Sequence, residues 1–234
     1  MELAATLLLI VCYGAAGYLA WAQRTPIYLL AIVAGHLGAL ASPLWRVLYG
    51  IRYDLDLPTV QTLLGQPVPW PVLLGAGWYY TLPAMVVFFL FSTRWWFPGP
   101  ITGVLTYMIF LLYHLLIEAV GLRSQTWAYG DADLPLGFSA PLLAALMAGL
   151  ISYGVLYTLL AVHRFAWPSM AVAVLPSVLV ISLLVYGLLG APLWLALLLD
   201  GQAWAVLVAL VTSVGLLVWA GQIITGGISR LSTP

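Results

Sequence analysis

Uninterrupted apolar runs of about twenty residues recur along the chain, and no other feature limits its fold so severely. A helix rises about 1.5 Å per residue, so a run of this length covers a hydrocarbon layer about 30 Å thick. Seven stretches meet the criterion: 3–22, 26–48, 71–93, 100–122, 140–162, 169–189 and 202–224. Their apolar character is continuous rather than alternating, which argues against an outer-membrane barrel, whose strands alternate polar and apolar residues. With 64% hydrophobic and 6% charged residues, the chain also lacks the polar groups to cover a soluble surface. The expected fold is all-α: a polytopic membrane protein, a seven-transmembrane-helix bundle forming one integral membrane domain over residues 1–234.

The connections suggest an orientation. Gln23–Thr25, Arg94–Gly99 and His163–Pro168 are short, join antiparallel neighbours and hold no acid. Asp54, Asp56, Asp131, Asp133 and Asp200 all fall in the other connections, on the side of Glu2. Arg24, Arg94, Arg164 and Arg230 therefore share a face without opposing acids, and the positive-inside rule places that face in the cytoplasm. The expected location is a bacterial inner membrane, N-terminus outside and C-terminus cytoplasmic. The first run is expected to be retained, since Met1-Glu2-Leu3 lacks the basic start of a cleaved signal peptide. Trp95, Trp96 and Trp167 at inner ends, and Trp45, Trp70, Trp78 and Trp204 near outer ends, read as interfacial anchors. Pro43, Pro83 and Pro176 predict kinks. Ala191–Leu199 is too short to span and reads as an interfacial helix or an extension of the sixth run. Small residues at Gly14 and Gly17, and at Ala31, Gly35, Gly38 and Ser42, predict close packing of the first two helices.

The stretch Gly103–Asp133 carries the chemistry. Tyr107, Phe110, His114, Glu118 and Gly121 recur at steps of three and four, so a helix sets them along one stripe. Glu118 is the only acid inside an apolar run. It could act as a general acid, with His114 one turn below it and Arg46 of the second run at a similar depth to tune it. Equally, Glu118 could be a structural carboxylate paired with Arg46 or Arg123. Tyr107 and Phe110 are candidate substrate contacts, and Trp127 and Tyr129 candidate caps of a cavity.

Cofactor and partner classes narrow by composition. Seven arginines balance seven acids and lysine is absent, which excludes a retinal Schiff base and gives no basic surface for nucleic acid. The lone Cys12 cannot form an intramolecular disulfide. No cofactor is expected. A bis-histidine haem on His36 and His114 would need helix tilt to absorb a depth offset of roughly 6 Å. Asp54 and Asp56, with Asp131 and Asp133, are weak metal candidates: if their loops meet, four carboxylates could hold a hard divalent cation. The expected partners are membrane lipids, a lipophilic small molecule and other membrane proteins.

An acid late in a membrane helix followed by a short linker and Trp-x-Tyr, here Glu118, Gly121, Trp127 and Tyr129, resembles small integral-membrane carotenoid-modifying proteins, the membrane lycopene cyclases and carotenoid hydratases. The cyclases' Pro-x-Glu-Glu motif is absent, the fifth run opening Ala140-Pro141-Leu142-Leu143. The resemblance implies an enzyme that protonates an isoprenoid or carotenoid-like substrate to start cyclisation or hydration, with Glu118 as proton donor. The alternatives are a noncatalytic subunit or lipid-binding scaffold of a larger complex, and a proton-coupled transporter. An enclosed apolar cavity reaching Glu118 favours the enzyme, an exposed complementary groove the subunit, and broken helices meeting at midmembrane the transporter.

Overall fold

The computed structural model describes residues 2–54, 57–63, 66–130, 134–165, 168–199 and 201–231. Its helices are α1 (Glu2–Gln23), α2 (Ile27–Gly38), α3 (Ser42–Tyr49), α4 (Trp70–Tyr79), α5 (Thr81–Ser92), α6 (Pro100–Arg123), α7 (Ala140–Phe165), α8 (Pro168–Ala171), α9 (Val174–Ser182), α10 (Ala191–Leu198) and α11 (Ala203–Leu231). Among the described residues, four short strands, β1 (Ile51–Tyr53), β2 (Thr59–Leu63), β3 (Gln66–Pro69) and β4 (Trp127–Tyr129), form two antiparallel pairs, β1 with β4 and β2 with β3.

The all-α fold holds, but the seven expected spans do not all appear as spanning helices. Among the described residues, five stretches are long and apolar enough to cross a membrane: Leu3–Gln23, Trp70–Ser92, Pro100–Arg123, Ala140–Phe165 and Ala203–Leu231. Val174–Leu189 with Ala191–Leu198 makes a sixth if that pair, bent by 58°, counts as one. The second run falls short. Its regular part, Ile27–Ala41, ends in a 3-10 turn at Ala39–Ala41 before α3 takes over. At 1.5 Å per residue it covers roughly 22 Å.

Two of the three prolines expected to kink their runs act differently from the expectation. Pro83 does interrupt its run, but at Tyr80, between α4 and α5. Its ring excludes the carbonyl four residues back, that of Tyr79. The Thr81 hydroxyl then donates to the Gly77 carbonyl at 2.6 Å, satisfying one acceptor at the break. Pro176 causes no kink, because it lies in the first turn of α9, where the missing N–H has no intrahelical partner to lose. The bend comes later. Leu183–Leu189 is a π-helical turn, closed by the Gly190 N–H donating to the Val185 carbonyl, and α10 departs from it at Pro192.

The core is built around α7, whose buried residues run from Leu143 to Val162 on every side. It packs against α5, α6, α9 and α11. A helix apolar all round has no stripe to betray its orientation, and Ala144, Ala145, Ala148, Gly149 and Gly154 let its neighbours approach. By contrast, α6 has two faces. Ile101, Val104, Met108, Leu112, Leu116 and Val120 are exposed, and Gly103, Thr106, Phe110, His114, Glu118 and Gly121 are buried. Close packing of small residues occurs elsewhere than expected. A Cβ on Gly35 would overlap the Ala76 carbonyl of α4, whereas Gly14 and Gly17 of α1 meet nothing.

The two ends of the bundle differ. At one, Gln23 donates to Ser92 at 3.2 Å, His163 packs edge-on against Phe88 and Phe91, and Arg164 donates to the Leu231 carbonyl. At the other, β1 and β4 tie together the connections that follow α3 and α6, with Ile51 opposite Tyr129 and Tyr53 opposite Trp127.

Candidate functional site

Glu118 lies at the β1–β4 end of α6 and is 4% exposed. Three aromatic side chains hold its carboxylate. Tyr79 donates its hydroxyl to Oε1 at 3.1 Å, and the Trp127 indole N–H and the Tyr129 hydroxyl donate to Oε2 at 3.0 and 2.7 Å. Local sequence explains the geometry. The break before Thr81 ends α4 at Tyr79, and Gly121, one turn beyond Glu118, gives the Trp127 ring a place on α6. A Cβ on Gly121 would overlap that ring. Burial pushes the Tyr129 hydroxyl upward from its ordinary range, so it stays a donor at neutral pH.

Glu118 forms part of the wall of a cavity of about 490 Å³. The volume lies within the range of small-molecule sites, and the wall is mostly apolar. Its aromatic part comprises Trp45, Tyr53, Trp78, Tyr79, Tyr80, Tyr113, Trp127, Tyr129 and Tyr186. Trp45 stacks on Tyr186 at 4.9 Å between ring centroids. The wall residues classed as exposed are Leu116 and Val120 of α6, 60% and 55% exposed, so the cavity has access at the lateral surface of the bundle rather than at its tip. Ala5 and Leu8 of α1 belong to the same wall.

The expected site residues divide into two groups. Glu118, Trp127 and Tyr129 come together as a unit. Arg46 does not join them: its guanidinium donates to the Pro67 carbonyl at 2.6 Å and lies 4.6 Å from the Tyr53 ring centroid. No guanidinium of the described residues is among the hydrogen-bond partners of Glu118, so the alternative of a pair with Arg46 or Arg123 is not realised. His114 shares the buried stripe but turns to α7, where Nε2 lies 2.8 Å from the Ser152 hydroxyl, while Nδ1 is without a hydrogen-bond partner among the described residues. Tyr107 donates to the Leu146 carbonyl and Phe110 packs near Tyr153, and neither belongs to the cavity wall.

The metal and haem candidates separate as well. The two acidic loops do meet through β1 and β4, and the Asp54 N–H donates to the Thr126 carbonyl. Asp56, Asp131 and Asp133 lie outside the described residues. Among those described, no three His, Cys, Asp or Glu side chains are grouped to hold a metal. His36 stacks near Tyr13 of α1, with Nδ1 3.1 Å from the Leu73 carbonyl, whereas His114 faces α7.

Sequence reasoning missed Trp45, Tyr53, Trp78, Tyr79, Tyr80 and Tyr186. Trp45 and Trp78 were expected as interfacial anchors, yet Trp45 is 5% exposed and both belong to the cavity wall. The signal was the triplet Trp78-Tyr79-Tyr80 ahead of Pro83, three polar-tipped rings at a helix break. Comparison of the chain with protein-family models, with curated proteins and with solved structures gave no match.

Proposed function

We propose that this protein is a membrane-embedded enzyme that takes a lipophilic, isoprenoid-like molecule into the aromatic cavity and starts its cyclisation or hydration with a proton from Glu118. The supporting observation is the position of that carboxyl: the one acid of the apolar runs, buried at the wall of an apolar cavity, bonded to neutral donors. Trp127 Nε1 can only donate, so Oε2 stays an acceptor and the acidic proton belongs on Oε1, on the Tyr79 side.

In the proposed step the π electrons of a substrate double bond take that proton. A C–H bond forms, the O–H bond breaks, and a carbocation remains beside the carboxylate. The tyrosine and tryptophan rings of the wall stabilise the positive charge through their π faces. A second double bond of the same molecule then attacks the cation, and loss of a proton to Glu118 completes a cyclisation. Attack by water, with the same proton return, gives hydration.

The proposal extends to topology. The ends described above group as they would if all seven runs crossed, the second as the composite Ile27–Tyr49, with the Arg164 end in the cytoplasm. A bacterial inner membrane, and lipid or membrane-protein partners, belong to the same reading.

A second reading has its own support. The three bonds to Glu118 fasten β4 to α6 and α4, as a structural carboxylate in a noncatalytic, lipid-binding subunit would. Mass spectrometry of lipophiles co-purifying with wild type and with Glu118→Gln separates the two, once thermal unfolding shows both variants folded. An isoprenoid that differs chemically between them supports catalysis. Identical phospholipid in both, with Glu118→Gln destabilised, overturns it in favour of the subunit.

A further inference from the structure

A second cavity, of about 210 Å³, adjoins the first. Four residues, Ile51, Tyr129, Ala144 and Tyr186, belong to the walls of both. Alanine is the smallest of the four, so beside Ala144 the two cavities stand one short side chain apart. The Tyr129 hydroxyl lies 2.7 Å from Glu118 Oε2, which sets the carboxyl next to this partition.

The two cavities reach different sides of the bundle. The exposed large side chains of the second wall are Val47 of α3 and Leu198 of α10, 53% and 51% exposed, whereas those of the first are on α6. A chain lying in both would run through the bundle from one lateral face toward another and pass Glu118 on the way. Among the described residues no charged side chain belongs to the second wall, which Leu134, Leu143, Met147 and Leu197 help to build. Its volume falls below the range of small-molecule sites, which begins at about 300 Å³, so it is poorly suited to hold a ligand alone. Protein interiors are close-packed, and unfilled space in them costs stability. An extension of the first cavity accounts for both its size and its lining.

We infer that the second cavity receives the far end of the same lipophile, so that the site takes long chains and presents an internal double bond to Glu118. The chain crosses beside Ala144, with the Tyr129 side chain, carried on a strand of three residues, moving to let it by. The inference rests on the first cavity being a lipophile site, as proposed above, and it narrows the substrate class by length. Ala144 thereby becomes a specificity-determining residue, distinct from the carboxyl that supplies the proton.

The test compares geraniol with geranylgeraniol, alcohols that differ only in chain length, as competitors of tritiated farnesol on the purified full chain at fixed detergent concentration. Partition of each alcohol into micelles is common to all variants and cancels on comparison with wild type. Ala140 belongs to the second wall and not the first, and Ala140→Phe fills that space. It should weaken geranylgeraniol by about tenfold, the equivalent of about 1.4 kcal/mol or roughly two methylenes kept out of the cavity, while geraniol stays within about twofold. Ala144→Leu, which raises the partition, should weaken geranylgeraniol by a similar factor. Equal weakening of both alcohols by Ala140→Phe, no weakening of either, as when bilayer lipid fills the space, or absence of binding by wild type would overturn the inference. If Ala140→Phe fails to fold, Ala140→Leu carries the test with an expected factor of about threefold, and an unchanged preference there counts against it. Glu118→Gln should keep the length preference. A failure of the acid chemistry therefore shows in the product comparison, and a failure of this inference in the length preference.

Discussion

Gly121→Ala should change the sign of its effect on stability according to what occupies position 127. In a helix interior alanine is favoured over glycine by about 1 kcal/mol. In wild type that gain is opposed by the Trp127 ring, which lies where the new Cβ must go. Moving the ring costs about 1–3 kcal/mol as overpacking. It also stretches the 3.0 Å bond from Trp127 to Glu118, a hydrogen bond worth about 0.5–1.5 kcal/mol, or more if the carboxyl is ionised. The expected net result is a loss of about 1–3 kcal/mol. In a Trp127→Ala background the obstacle is gone, so Gly121→Ala should stabilise by about 1 kcal/mol, leaving a coupling of about 2–4 kcal/mol between the two sites. Reversible unfolding in mixed micelles by titration with dodecyl sulfate, followed by far-UV circular dichroism, reads all four corners of the cycle. The same sign in both backgrounds would refute the seating of Trp127 on Gly121, and with it the means by which β4 reaches Glu118.

Three further outcomes are expected. Tyr79→Phe removes the donor to Oε1 and should lower stability by about 1 kcal/mol; infrared difference spectra against wild type should show an altered carboxyl or carboxylate band that is absent from Glu118→Gln, and an unaltered band would contradict the contact. Arg46→Met should cost about 1–3 kcal/mol by removing the bond to the Pro67 carbonyl and the charge over Tyr53, with faster hydrogen exchange in β1 and β3, yet leave that band in place; a shifted band would restore the pairing of Arg46 with Glu118. Burial pushes the Tyr53 hydroxyl up to about 12, against the downward pull of Arg46, so the unfolded chain ionises this tyrosine first. Its contribution to stability is complete below pH 10 and is lost as pH rises toward 12, and Tyr53→Phe should flatten the fall of stability across that window.

The sequence made some of this legible for clear physical reasons. An acid inside an apolar run is costly, so Glu118 stood out, and helical spacing placed it with His114, Phe110 and Gly121 on the face that proves buried. The loop rings at Trp127 and Tyr129 were near enough in sequence to be linked to it. Apart from Tyr113 of α6, the rest of the aromatic wall comes from α3, β1, α4 with the break after it, and the π turn, positions joined to Glu118 only by tertiary packing. Tryptophan and tyrosine suit both a membrane interface and a cavity wall, so composition could not tell Trp45 and Trp78 from exposed tryptophans such as Trp95. Nor could periodicity single out α7, since lipid and protein interior select the same side chains. Arg46 misled because depth along a helix gives no azimuth.

The π-helical turn at Leu183–Leu189 carries one residue more than an α-helix would need over the same rise. The surplus sets free the Tyr186 carbonyl, which accepts the Tyr49 hydroxyl at 2.7 Å, and directs the Tyr186 ring into the cavity wall. Substitutions within the turn can keep this register, but removing a single residue cannot. The α-helix then restored would swing everything after it by about 100°, carrying α10 away from α3 and unseating Tyr186. Sequence length in this segment is therefore under tighter constraint than sequence identity, and a chain with the same site should vary its lipid-facing side chains there, Tyr186 being kept, while never shortening it.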